Sequence, residues 1–185
     1  MLAPAAPPTW NLEQLRFPKT LDADPRSPAL HASLRASCRK LWEGGVIQVP
    51  AVTWSLPLAA ALSSAQQEGQ LIQGIERAER ALAREARGLS IADARSATER
   101  GSRVSRLLLT SNDGTERFYR QIERLLRTHG ARVLALRLDV DSTRLSGVMG
   151  DPGGMARALL VEHKTGVARV LLALCEGNGA PEIKE

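Results

Sequence analysis

The chain has 185 residues, with 25 Lys or Arg against 20 Asp or Glu and a formal net charge of +5. A hydrophobic content of 43% supports a packed core and excludes global disorder, and an aromatic content of 3% excludes a nucleic-acid platform of many stacked rings. Cys38 and Cys175 lie far apart without further ligands at metal spacing, so neither a disulfide framework nor a zinc site is predicted.

The N-terminal segment is rich in proline, with six of the ten prolines in residues 1–28. Proline fixes the backbone and lacks a donor N–H group, so residues 1–27 are predicted to form a Pro-rich extended arm. Trp10 and Phe17 lie in this arm. Because exposed aromatic side chains commonly anchor protein partners, both are candidate partner-binding residues.

Residues 28–79 are predicted to form a helical region with one short edge strand. The strand falls in residues 46–54. Pro50 has no backbone N–H group to donate to a neighbouring strand, which indicates an edge strand or a bend. A helix precedes the strand, and strong helical periodicity follows it from Ser55 onward.

The second half of the chain alternates strands and helices. Apolar runs predict strands near residues 104–111, 132–138 and 155–162, with capped amphipathic helices between them. Because these strands are apolar throughout, helices should cover both faces of their sheet. The pattern predicts a three-layer α/β/α sandwich with a small, mostly parallel sheet over residues 80–176, and a flexible tail at residues 177–185.

Two aspartates, Asp139 and Asp141, follow the second of these strands with one residue between them. Their spacing resembles the nucleophile motif of haloacid-dehalogenase-type phosphatases, whose remaining catalytic groups lie on later strands. Only 46 residues follow Asp139, and they supply one further strand. We therefore predict that both aspartates serve stability, with Asp141 or Ser142 capping the next helix.

No other catalytic, cofactor or metal motif stands out. The sequence contains neither a GxGxxG fingerprint nor a Walker loop. It shows no signal-peptide pattern and no apolar run long enough for a membrane span, so we expect a cytoplasmic protein without a membrane partner. No cofactor is expected.

Several features of the second half follow one another in a recognisable order. They are Glu99-Arg100-Gly101 at a helix end, Leu107-Leu108-Leu109 in a strand, Asp113 in a turn, and the short helix from Leu145 to Gly150. This order resembles the kink-turn RNA-binding ribosomal-protein superfamily and its small bacterial YlxQ-like members. The resemblance covers about residues 80–176 and implies an α/β/α fold that binds RNA. Residues 92–96 lack the Gly-Asn-Glu and Lys of the family's RNA signature, so we expect little sequence preference.

A cluster of arginines surrounds the predicted junction between the helix and the first of these strands: Arg95, Arg100, Arg103 and Arg106. Guanidinium groups bind phosphates through charge-assisted bidentate hydrogen bonds, so this cluster is the candidate nucleic-acid interface. The resemblance implies that the loop before the last helix lies nearby and adds His163 and Lys164. The basic excess fits a nucleic-acid partner, although an Arg-rich composition from a GC-rich genome would produce it equally well.

These observations predict a non-catalytic RNA-binding or ribosome-associated protein. Two alternatives stay open. The chain could be a protein-interaction module or a subunit of a larger complex, docking through its N-terminal arm and helices. It could also be an enzyme with a small-molecule substrate, for which the acidic turns are the sole support.

Overall fold

The structure is a computed structural model that describes residues 10–96 and 103–177. Its strands are β1 (Cys38–Lys40), β2 (Gln48–Val52), β3 (Leu71–Gln73), β4 (Arg106–Thr110), β5 (Val133–Leu138) and β6 (Ala158–Val161). Its α-helices are α1 (Lys19–Asp22), α2 (Ser27–Ala36), α3 (Leu56–Gln67), α4 (Ile75–Ser96), α5 (Glu116–His129), α6 (Ser142–Gly147) and α7 (Lys164–Gly177). Short 3₁₀ turns occur at Leu12–Gln14 and Gly130–Arg132.

The six strands of the described residues form one mixed sheet in the order β1-β2-β5-β4-β6-β3. The strands β2, β5 and β4 pair in parallel, whereas β1, β6 and β3 each join their neighbour antiparallel. Consequently β2, β3, β4 and β5 point in the same direction, and β1 and β6 point the opposite way. The predicted α/β class with a mostly parallel sheet is confirmed.

Apart from α6, the described helices form two groups, one for each face of the sheet. The helices α1, α2 and α3 all pack against α7, and α4 packs against α5. The central strands between these layers are buried on both sides, and Leu107, Leu108 and Leu109 have no exposed surface at all. Burial on both faces explains why these strands are continuous apolar runs in the sequence.

The three strands predicted in the second half are confirmed as β4, β5 and β6. Two further strands, β1 and β3, lack a sequence prediction because three residues are too few to show a period of two. The strand β2 occurs where it was expected, but it is not at the edge. The short strand β1 covers it, with Cys38 opposite Pro50. In addition, β2 and β3 come from the region predicted as mainly helical and belong to the same sheet as the second half.

The N-terminal segment differs from the predicted extended arm over residues 10–27. These residues form a 3₁₀ turn, α1 and the start of α2, and they pack against the rest of the molecule. The indole N–H of Trp10 donates to the carbonyl of Val133 (2.9 Å), and the ring of Phe17 stacks on His31. Apolar side chains between the prolines drive this packing, which proline content alone does not reveal. Residues 1–9 of the predicted arm and residues 178–185 of the predicted tail lie outside the described residues.

Candidate nucleic-acid interface

Arg106 is the first residue of β4, and its guanidinium is held in place on two sides. Its Nε lies 3.0 Å from Oε2 of Glu85 on α4, and its Nη1 donates to the carbonyl of Ser105 (2.8 Å). Glu85 also accepts a hydrogen bond from the Ser105 hydroxyl (3.3 Å). Arg106 is therefore half-buried and partly neutralised, which sequence spacing did not predict because Glu85 is distant in the chain.

Arg103 likewise has intramolecular partners. Its Nη1 donates to the carbonyl of Phe17 (2.8 Å) and to the carboxylate of Asp22. Its backbone forms an isolated parallel bridge with Arg16. Arg103 thus fastens the N-terminal segment to the sheet, and its charge is engaged by Asp22.

Of the other two predicted arginines, the structure describes one. Arg95 is exposed near the end of α4. Arg100 lies outside the described residues. Within the described part of the chain, Arg103 and Arg106 therefore have acidic partners, and Arg95 is exposed.

The structure does bring Arg106 close to the beginning of the last helix. Arg106, His163 and Lys164 line one surface pocket of about 320 Å³, together with Glu162 and Thr165. His163 and Lys164 are exposed, and Glu162 is half-buried. The pocket arises because β6 lies beside β4 and runs antiparallel to it, so that the end of β6 meets the start of β4. It offers cationic groups to an anion, and Glu162 opposes them.

The aspartates of the predicted phosphatase-like motif hold loops together. Oδ1 of Asp139 accepts a hydrogen bond from the backbone N–H of Trp54 (2.6 Å). Asp141 is the N-cap of α6, because its Oδ1 accepts from the backbone N–H of Arg144 (2.7 Å). Both carboxylates thus have structural partners, in agreement with a role in stability.

A third carboxylate at this end of the sheet is also used structurally. Asp113 accepts hydrogen bonds from the backbone N–H (3.0 Å) and the hydroxyl (2.7 Å) of Ser142, which ties the loop after β4 to α6. Burial opposes its ionisation, but the side chains of Ser111 and Ser142 and the Ser142 N–H outweigh burial. They hold the pKa of Asp113 below its ordinary value.

The predicted partner-binding residues, Trp10 and Phe17, are both buried. Trp10 is 6% exposed and Phe17 is 0% exposed. Neither ring can anchor a partner while residues 10–27 stay packed as they are. The prediction placed these rings on an extended arm, and their burial follows from the packing of that segment.

A basic groove beside β3 was not predicted from the sequence. Arg77, Arg80 and Arg84 project from α4 and line a surface groove of about 360 Å³ together with β3 and Met149. The spacing of three and four residues places these arginines on one face of the helix. This signal is present in the sequence, but a solvated helix face has the same spacing, so the groove is visible only once β3 is placed.

Two further features concern the described residues as a whole. Within residues 10–96 and 103–177, no group of three or more His, Cys, Asp or Glu side chains is arranged to hold a metal ion. In the same ranges, no helix combines the length and apolar character needed to cross a membrane.

No protein-family model and no curated protein matches this chain. Among solved structures, a protein with unknown function from Bacillus halodurans is similar, with a TM-score of 0.43 and 17% sequence identity. The match covers 66% of this chain and 99% of that chain. A likeness of this degree assigns neither a family nor a function.

Proposed function

We propose that this is a non-catalytic RNA-binding protein whose contact surface is the pocket formed by Arg106, His163 and Lys164. The observation that supports the proposal is their convergence on one pocket, although β4 and the start of α7 are far apart in sequence. The sequence resemblance implied this proximity. Arg95, exposed on α4, stays a candidate for a neighbouring contact.

The chemistry of the pocket suits a phosphate group. The Lys164 ammonium is exposed and free to turn toward an anion, and the Arg106 guanidinium is held rigidly by Glu85. Arginine carries five N–H donors, so the groups on Glu85 and Ser105 leave others for a phosphate oxygen. Such contacts give affinity without sequence selectivity.

Salt dependence supplies a quantitative test. On single-stranded RNA, each phosphate neutralised by a Lys or Arg side chain contributes about −0.7 to the slope of log affinity against log salt, so Arg106 and Lys164 together give a slope of about −1.4. Fluorescence anisotropy with labelled single-stranded RNA at several salt concentrations measures this slope. We expect little difference between RNA sequences of the same length.

Three variants of the full chain separate this surface from charge in general. Lys164→Gln should weaken binding and flatten the slope by about 0.7. Glu162→Gln should strengthen binding, because it removes the opposing charge from the pocket. Lys40→Gln, a matched change at an exposed lysine of β1, should alter neither. Absence of binding at low salt, or equal effects of Lys164→Gln and Lys40→Gln, would refute the proposal.

A further inference from the structure

The strand β3 is the last strand of the sheet, and one of its two edges is open in the described part of the chain. Toward β6, Gly74 N–H donates to the Ala158 carbonyl and the Gln70 carbonyl accepts from Glu162 N–H, both at 2.9 Å. In an antiparallel pair, alternate residues bond to the neighbouring strand and the residues between them face away. The backbone groups of Leu71 and Gln73 therefore point outward, where a further strand could pair with them.

The groove of about 360 Å³ runs beside this open edge. Its apolar floor includes Leu71, Ile72 and Met149, and its wall is formed by Arg77, Arg80 and Arg84 of α4. All three arginines are exposed, and none has an acidic partner among the described residues. This contrasts with Arg103 and Arg106, whose charges are engaged by acidic side chains.

The spacing of the arginines matches an extended peptide. With a rise of 1.5 Å per residue, Arg77 and Arg84 are separated by about 10 Å along the helix axis. Side chains at alternate positions of a strand lie about 6.7 Å apart on the same face. Two acidic residues at alternate positions of an added strand can therefore reach this row of guanidinium groups, while its apolar side chains contact the floor.

We propose that this edge and groove form the docking site for an extended acidic segment of a partner protein, which adds to the sheet as a strand beside β3. Backbone hydrogen bonds to Leu71 and Gln73 would supply affinity, and pairing with the arginines would supply selectivity. The proposal does not depend on RNA binding at the pocket of Arg106.

Two other occupants fit the site less well. Pairing of β3 with β3 of a second copy would bring two rows of arginines together, and like charges repel. A nucleic acid could bind the arginines, but its sugar-phosphate chain does not present the alternating N–H and C=O groups that the strand edge requires. An acidic peptide satisfies both features.

The test uses the full chain and fluorescein-labelled peptides in which Glu alternates with Val or Thr. A matched peptide has Gln in place of Glu, and a third carries N-methyl groups on the amides that would face β3. Anisotropy measures binding of each. The first peptide should bind, and each of the other two should bind about tenfold more weakly, within the range expected for loss of several exposed ion pairs or hydrogen bonds.

Variants of the protein test the two features separately. Arg77→Gln/Arg80→Gln/Arg84→Gln removes the charges. The control Arg16→Gln/Arg35→Gln/Arg117→Gln removes three exposed arginines that lie outside α4. Gln73→Pro deletes one outward N–H group and leaves the bonds to β6 in place, and its circular dichroism spectrum and melting temperature verify folding.

The expected result is that the groove variant and Gln73→Pro each lose about tenfold in affinity for the acidic peptide, and that the control does not. Equal loss in groove variant and control, or full binding of the N-methylated peptide, would overturn the proposal. Dimerisation that Gln73→Pro abolishes would instead identify a second copy as the occupant. RNA binding that depends on the groove arginines, without peptide binding, would identify a nucleic acid as the occupant. Either of these two results would also overturn the proposal.

Discussion

The carboxylate of Glu123 connects α5 to the loop between β1 and β2. It is only 5% exposed, and its Oε1 accepts hydrogen bonds from the backbone N–H groups of Val46 (2.9 Å) and Ile47 (3.1 Å). Its Oε2 lies 3.3 Å from the guanidinium of Arg127. Substitution by alanine removes the acceptor from all three groups, so Glu123→Ala should destabilise the fold.

The size of this effect follows from the exposure of each partner. Ile47 is 0% exposed, so its N–H group stays dry and unpaired, at a cost of about 1–3 kcal/mol. Val46 is 66% exposed, so water can replace its lost bond at a cost of about 1 kcal/mol. The Arg127 side chain is 43% exposed and its pair contributes little. We expect a loss of about 2–4 kcal/mol in the free energy of unfolding.

Urea denaturation at neutral pH measures this loss directly. Glu123→Gln keeps an acceptor oxygen and should cost only about 1 kcal/mol, because charge assistance alone is lost. The control is Glu116→Gln on the same helix, where an exposed carboxylate pairs with Arg120, and it should cost about 0.5 kcal/mol or less. A Glu123→Ala variant within 0.5 kcal/mol of the control, or a Gln variant as unstable as the Ala variant, would show the reasoning to be incorrect.

Three further predictions concern other contacts. The pKa of Asp113 is lowered in the folded state, so its carboxylate stabilises the fold above about pH 4, and this contribution fades as the pH falls further. The difference in unfolding free energy between wild type and Asp113→Asn should therefore shrink on acidification. Denaturation experiments from pH 3 to 7 measure this difference. Asp139→Asn should cost less than about 1 kcal/mol because it keeps an acceptor, and neither form should show Mg²⁺-dependent phosphatase turnover; turnover lost in the variant would contradict this. In Gly130→Ala the new methyl group would collide with the Trp10 ring, which should lower the melting temperature by about 3–9 °C and shift the tryptophan emission. The control Gly153→Ala should change neither, because its methyl group meets nothing within 4 Å.

The central sheet was predictable because its strands are buried on both faces. In β4, β5 and β6 most consecutive residues are apolar, whereas an amphipathic strand would alternate apolar and polar residues. Capped helices separate these three strands in the sequence. The edge strands β1 and β3 were not predictable, since three residues carry no periodicity, and the partner of β3, the strand β6, is distant in sequence. The packing of residues 10–27 was missed because proline content predicts backbone shape and not burial.

The candidate site was only partly predictable, for an electrostatic reason. The sequence shows where arginines are dense, but it does not show which of them are neutralised by acidic groups from elsewhere in the chain. Asp22 and Glu85 engage Arg103 and Arg106, and both partners come from the first half of the sequence. The arginines beside β3, in contrast, were not predicted to form a site, because the groove that they line depends on a strand that the sequence does not predict.

The strand order has a consequence for how the chain folds during synthesis. Ala51 of β2 pairs with Arg137 of β5, and Leu71 of β3 pairs with Val161 of β6, so the strands of the first half attach to opposite sides of a centre made later. Such long-range pairings carry a large loop-closure cost and slow the formation of a sheet. A nascent chain halted on the ribosome before β5 emerges lacks the partner of β3 and has only β1 to pair with β2. We therefore expect native structure to form late in synthesis, in one step, when α7 becomes available. Until then, we expect the exposed apolar segments of the first half to depend on chaperones.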